Sequence, residues 1–223
     1  GMDSVFLLHA ESAHRQTCTG SEGDAPFVLP VAHVDHPLPA RADGWADFCA
    51  EVCGRLGVAL DVVRVDVPRD GGEGLEAAAR RCRYRVFAEV DADWLALAHH
   101  RDDQAETVLL NLLRGAGVAG VAGMPAMRAQ SERKAPGAWL VRPLLGVPRA
   151  AIEVYAAEHG LRWVDDESNG DRHFRRNFLR HEVLPALEDR FPGASRALAR
   201  AAGHFAEAAH LLDQLAALDA DAA

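Results

Sequence analysis

Lysine is almost missing from this sequence: Lys134 is the only one, and the other basic side chains are arginines. No uninterrupted apolar stretch approaches the roughly 20 residues that a helical membrane span requires, and no charged-then-apolar leader with a cleavage site opens the chain. These absences imply a soluble, cytoplasmic protein with no membrane partner. The four cysteines, Cys18, Cys49, Cys53 and Cys82, form no C-x-x-C pair. Cys49 and Cys53 stand four apart in a helical pattern, a spacing that could serve a metal but is more ordinary for small buried thiols. A surplus of positive charge is also lacking. With 24 Lys and Arg against 33 Asp and Glu, the net charge of −9 excludes a surface built throughout to hold nucleic acid. Local basic clusters remain, at Arg80, Arg81, Arg83 and Arg85 and at Arg172, Arg175, Arg176 and Arg180, each readable as a solvated helix face.

What is present is apolar patterning. Hydrophobic residues make up 49% of 223 residues, enough for an α/β domain with an appended helical unit. "GMDS" reads as a tight turn feeding a helix, "VFLLHA", that continues to about His14. "FVLPVAHVDH" is a short apolar run with the character of a buried parallel strand. "GWADFCAEVCGRLG" places Trp45, Phe48, Val52 and Leu56 at helical spacing with Gly57 as a C-terminal cap. "VALDVVRVDV" is a second strand, and "GLEAAARRCRYRVFAEV" a helix with Leu75, Ala79, Cys82 and Val86 on one stripe. "DWLALAHH" is a third strand, followed by the helix "RDDQAETVLLNLLRG", with Asp102 at the N-cap position and Gly115 at the close. A Gly-rich and then charged connection leads to a last strand, "WLVRPLL". From "PRAAIEVYAAEHGL" onward the chain is helical, interrupted by "RWVDDESNGDRHFRRN". The alternation predicts a parallel sheet with right-handed crossovers and helices on both faces.

Ligands of such sheets bind outside the carboxyl ends of the strands, and that is where the reactive side chains fall. In "HHRDDQAET", Asp102 and Glu106 are four apart and Asp103 and Glu106 three apart, so carboxylates share a face of the first helical turn. Acidic residues there are also ordinary dipole partners. With His99 and His100 directly before them, a site for a hard cation or an ammonium group is the functional reading. Arg114, in the last turn, could satisfy free carbonyls or supply a forked donor to phosphate. In "DESNGDRHFRRNFLR", Asp166, Ser168, Asn169 and Asp171 are turn formers. Arg176 and Arg180, on either side of Asn177, share a helix face and could clamp a nucleic-acid backbone.

Taken together, "AHVDH", "GLEAAARRCRYRVF", "ALAHHRDDQAETVLLNLLRGAGVAGVAGM", "RPLL" and "DESNGDRHFRRNFLRHEVLPAL" resemble, in order and spacing, the tRNA(Ile)-lysidine synthetases. These are N-type ATP pyrophosphatases of the PP-loop superfamily, and the resemblance covers most of residues 1 to 190. The "HHRDDQAET" segment is shared with other tRNA-modifying enzymes; its combination with D-x-S-N-x-D-x-x-F-x-R-N-x-x-R over residues 166 to 180 is the specific part.

The resemblance implies an α/β fold with a parallel Rossmann-like sheet of the adenine nucleotide alpha hydrolase type. It implies a PP-loop ATP-binding domain over residues 1–145 and a small helical segment over 146–223. The implied activity joins free L-lysine to the wobble cytidine of the CAU anticodon of tRNA(Ile), using ATP and Mg²⁺ through an adenylylated base. Gly1, Asp3, Ser4, His33 and Asp35 would bind the nucleotide, with Asp3 on Mg²⁺. His99, Asp102, Asp103, Glu106 and Arg114 would surround the reacting centre. Arg142, Asp171, Arg176, Asn177 and Arg180 would meet the tRNA. Family members carry S-G-G-x-D-S after their first strand, and Gly1-Met2-Asp3-Ser4 matches only its end. The expectation is therefore a sheet without its first, central strand and an incomplete phosphate loop that impairs catalysis, with a homodimer as one candidate assembly. The family's Gly-Leu-Arg after "HVDH" is replaced here by Pro37-Leu38-Pro39. A PP-loop tRNA thiolation enzyme and a degenerate nucleotide- or tRNA-binding protein are the alternatives. Replacing Asp103 by Asn is expected to abolish lysine incorporation with little change in folding.

Overall fold

The computed structural model describes residues 1–18, 28–35, 43–68, 75–129, 138–165, 170–172 and 174–221. His36 with the Pro37–Pro39 departure, Lys134, and Asp166, Ser168 and Asn169 lie outside the described residues.

Helix α1 (Met2–Cys18) opens the chain and runs one turn past its expected end. Strand β1 (Val31–Asp35), α2 (Asp43–Leu56), β2 (Leu60–Arg64), α3 (Leu75–Glu89), β3 (Trp94–Ala96) and α4 (Arg101–Leu113) then alternate as the apolar pattern predicts. The α3 stripe is where periodicity put it, with Ala79, Cys82 and Val86 buried. β1 and β2 pair in parallel, from Val31 opposite Leu60 to Asp35 opposite Arg64. β3 pairs in parallel with β5 (Trp139–Val141). The expected parallel sheet carries one antiparallel strand at its edge. β4 (Met127–Ala129), which falls within the stretch expected to be a connection, runs antiparallel to β5. A three-residue strand is too short to show alternation, which is why the pattern hid it. The described strands form a β1–β2 pair and a β3–β5–β4 triplet.

Two apolar clusters attach helices to this frame. Met2 and Leu7 of α1 pack with Leu144 and with Ile152 and Ala156 of α6 (Arg149–Glu158). Val108 of α4 and Val121 of the short α5 (Val118–Val121) pack against Ala202 of α9 (Ala194–Asp221). The C-terminal helical segment therefore shares apolar cores with both ends of the α/β unit. Between α6 and α9 the chain forms α7 (Arg175–Phe178), one wide π turn (Leu179–Val183) and α8 (Leu184–Arg190). No helix among the described residues is long and apolar enough to cross a membrane.

The start of α9 is held from outside. Glu188 accepts the backbone N–H groups of Gly193 and Ser195, both at 2.8 Å, and these bonds hold its carboxyl below the ordinary range. A depressed carboxylate pKa contributes stability that is present above the unfolded pKa and lost as pH falls through the folded one. Glu188→Ala is expected to lower stability by about 1 kcal/mol, in thermal melts at neutral pH, with the difference shrinking in acid. A deficit unchanged by acid would exclude the carboxylate as its source.

Candidate active site

The site begins with a helix cap. His100, only 1% exposed, is the N-cap of α4. Its backbone N–H donates to Asp103 Oδ2 at 3.0 Å, and Asp103 N–H donates to His100 Nδ1 at 3.4 Å. This reciprocal box displaces the expected Asp102 cap by two residues. The His100 Nε2 lies 3.4 Å from Asp103 Oδ2 and 3.8 Å from Asp3 Oδ2 without an aligned hydrogen bond to either. Asp102 turns elsewhere: its Oδ2 accepts the backbone N–H of Arg149 at 2.9 Å, 47 residues away, at the first residue of α6. Asp102 and Glu106 thus do not form the paired face their spacing suggested.

Asp103 and Glu106 do share a face, and two arginines from the C-terminal segment close over it. Arg176 donates through Nε to Glu106 Oε2 at 2.7 Å and through Nη2 to Asp103 Oδ1 at 3.1 Å. Arg180 donates through Nε to Glu106 Oε1 at 2.6 Å and through Nη2 to Asp103 Oδ1 at 2.8 Å and Glu106 Oε2 at 3.0 Å. Glu106 is buried, whereas the two arginine side chains keep about a quarter of their surface. Burial by itself would raise the Asp103 pKa, but His100, Arg176, the His100 backbone bond and Arg180 outweigh it and hold the carboxyl below its ordinary value. Burial opposes the charge of Arg180 as well, and its bonds to Glu106 more than restore it.

His99 lies beside this lattice. Burial pushes its pKa down to about 4; Asp103 opposes the shift, while Arg142, Arg176 and Arg80 add to it. The ring is neutral at pH 7, and its Nδ1 is buried with no hydrogen-bond partner among the described residues. Arg142 is 4% exposed, with Nη1 donating to Pro125 O at 2.6 Å. Burial lowers its pKa.

Gln104 was not marked by its sequence context. It exchanges two 2.9 Å bonds with the backbone of Met124, tying α4 to the connection after α5. Gly123, at φ +68°, must stay small because an added Cβ would meet the Gln104 side chain at 2.9 Å.

The remaining expected site residues are distributed as follows. Gly1 and Ser4 are exposed at the start of α1. Asp3 reaches His100, and its Oδ1 is buried with no hydrogen-bond partner among the described residues. His33 and Asp35 lie on β1, where His33 Nδ1 is 3.7 Å from Cys49 Sγ and Asp35 is 3.5 Å from Arg64. Arg114 is exposed at the end of α4, its N–H bonded to Asn111 O. Asp171 accepts through its carbonyl from the Asn177 side chain at 2.9 Å. Tertiary folding therefore gathers Asp3, His99, His100, Asp103, Glu106, Arg176 and Arg180, and leaves Arg114 at the opposite end of α4, as its C-cap.

A PP-loop domain model matches residues 1–187. The chain belongs to the PP-loop family. This PP-loop protein is 50% identical over 219 residues to a tRNA(Ile)-lysidine synthase of Aromatoleum aromaticum, covering 98% of this chain and 49% of that one. It is 43% identical over 221 residues to the protein of the same name from Nitrosomonas europaea, covering 99% and 46%. The chain thus spans about half the length of the curated relatives it matches. Its fold is similar to that of the U34-tRNA thiolase NcsA from Methanococcus maripaludis with its [4Fe-4S] cluster, at a TM-score of 0.75, 16% identity, and coverage of 93% of this chain and 70% of that one. At that identity the likeness concerns the fold alone. Among the described residues no three His, Cys, Asp or Glu side chains converge to hold a metal.

Proposed function

We propose that this PP-loop protein takes part in the ATP-dependent joining of free L-lysine to the wobble cytidine of the CAU anticodon of tRNA(Ile). The observation that carries this reading is the convergence of His99, His100, Asp103 and Glu106 with Asp3 and with Arg176 and Arg180, in a chain about half identical over nearly its whole length to proteins of that name.

The chemistry asks for three things, and the residues suit each. Phosphate oxygens need convergent donors. The amides of Met2, Asp3 and Ser4 precede the first intrahelical bond of α1, from Val5 N–H to Gly1 O at 3.2 Å, and so have no acceptor within the helix. Nucleotide contacts are assigned to Gly1, Asp3, Ser4, His33 and Asp35, and phosphate or nucleotide contacts to Arg114 and Arg142. A lysine amine needs a carboxylate to dock its ammonium; of the candidates Asp102 and Glu106, Asp102 is the accessible one, because Glu106 is buried with both oxygens bonded to Arg176 and Arg180. The base needs holding against the nucleotide, the part assigned to Asp171, Arg176, Asn177 and Arg180. Neutral His99 offers a ring nitrogen in the buried interior rather than a charge.

Mg²⁺ commonly sits between one or two carboxylates and substrate phosphates. The buried, unpartnered Asp3 Oδ1 fits that arrangement. The ion would neutralise charge on the departing pyrophosphate.

The deciding experiment is transfer of radiolabelled lysine to a tRNA(Ile) transcript with a CAU anticodon, with AMP release requiring both lysine and tRNA. Label is expected on that transcript and not on one with a GAU anticodon, and Asp103→Asn is expected to abolish it. ATP consumption independent of lysine, or sulfur transfer to the same transcript, would overturn the reading.

A further inference from the structure

One group of cations near the site has no part in the carboxylate lattice. Arg80, on α3, donates to the Tyr84 hydroxyl at 3.2 Å and lies over the Tyr84 ring with its guanidinium carbon 4.9 Å from the centroid. Arg128, on β4, lies 5.5 Å from the same ring. Arg142 lies two residues beyond Leu140, the cross-strand partner of Arg128, and so shares the Arg128 face of the strand pair, where it interacts electrostatically with Tyr84 and Arg128. Two guanidiniums therefore flank one phenol, with a third beside them. Among the described residues none of the three pairs with a carboxylate, although acidic residues outnumber basic ones 33 to 24 over the whole chain.

Such a grouping is costly without an anion, because like charges repel and Arg142 is almost wholly withdrawn from water. Its Nε is buried with no hydrogen-bond partner among the described residues. Arg80 and Arg128 are exposed, so the group runs from solvent inward to a buried guanidinium with unused donor capacity. The arrangement is continuous with the candidate active site, since Arg142 and Arg80 both act electrostatically on His99. Tyr84 holds the group together: its ring face and hydroxyl accept from the cations while its own proton remains available as a donor. Guanidiniums set around a common centre match the forked geometry of a phosphate group.

We infer that Arg80, Arg128, Arg142 and Tyr84 form a phosphate-binding subsite adjoining the His99 side of the candidate active site. The ligand is a phosphate oxyanion, whether a phosphodiester of the RNA strand or a phosphate of a nucleotide. The inference does not depend on which base is modified or on lysine being the acceptor.

Two titrations of the same chain test it: fluorescence anisotropy with a labelled anticodon stem–loop RNA, and calorimetry with inorganic pyrophosphate. Each is run on the parent, on Arg80→Gln, on Arg128→Gln and on the double variant, whose replaced side chains are exposed and leave the buried Arg142 untouched. Arg85→Gln, an equal charge change on the exposed surface of α3, is the control. Each single variant is expected to weaken one of the probes about tenfold, with Arg85→Gln shifting it by less than about twofold. If RNA is the weakened probe, the salt dependence should also fall by about one unit of slope per arginine, and the subsite holds the strand. If pyrophosphate is weakened and RNA is not, it holds the nucleotide. Unchanged binding of both probes by the double variant, equal weakening by Arg85→Gln, or no saturable binding of either probe by the parent near about 1 mM would each overturn the inference. Lysine transfer fails or succeeds independently of these titrations.

Discussion

Glu106→Gln is expected to lower the stability of the chain by about 3 kcal/mol and to loosen the C-terminal segment from α4. Glu106 is 1% exposed and accepts three hydrogen bonds from Arg176 and Arg180, at 2.6 to 3.0 Å. Removing one partner of a buried ion pair leaves the other charge uncompensated, which costs about 3–5 kcal/mol. The lower end applies because the arginines keep about a quarter of their surface and Asp103 still accepts from both. Gln keeps the shape of Glu106 but must turn an amide NH₂ toward one guanidinium, so a donor meets a donor. Urea unfolding of parent and variant measures the effect. A difference below about 1 kcal/mol would mean that the lattice behaves as a surface pair. Combining Glu106→Gln with Arg180→Gln should recover part of the loss, because the second change removes the stranded charge.

The second large effect is on pH dependence. His99 titrates at 6.5 when unfolded and at about 4 when folded, so between these values the unfolded chain binds more protons and stability rises with pH. Lowering pH from 6.5 to about 4 is therefore expected to remove on the order of 3 kcal/mol through His99 alone. Asp103 contributes with the ordinary carboxylate sign: its depressed pKa gives stability above the unfolded value that is lost as pH falls through the folded one. The two losses are separable because that of His99 comes first on acidification. His99→Gln should flatten the stability curve between pH 6.5 and about 4 and leave the steeper decline below it. Parallel curves for parent and variant across that window would show that His99 is solvated rather than withdrawn.

The same residues show how far the sequence could be read. Asp103 was expected to be replaceable by Asn with little effect on folding. Its bonds to the His100 backbone, Arg176 and Arg180 make the variant a probe of stability as well as activity. Asp102 looked like a helix cap and is one, but for α6 rather than for its own helix. His100 could have been recognised as a cap only from the three-residue spacing to Asp103, since histidine is not a favoured N-cap residue.

Local chemistry was within reach of the sequence alone. The 3.6-residue stripe of α3 and the left-handed Gly115 at φ +74° after α4 follow from patterning and backbone sterics acting over a few residues. So did the placement of reactive side chains at the carboxyl end of β3. Only tertiary structure decided their partners. Arg176 and Arg180 reach Asp103 and Glu106 across 70 to 77 residues, and Arg80 and Arg128 meet at Tyr84 from a helix and a strand edge. Charge in the sequence states which groups need a counterpart. Which counterpart each one meets depends on how α9 packs on α4 and α6 on α1, and those contacts are set by apolar surfaces far from the charges themselves.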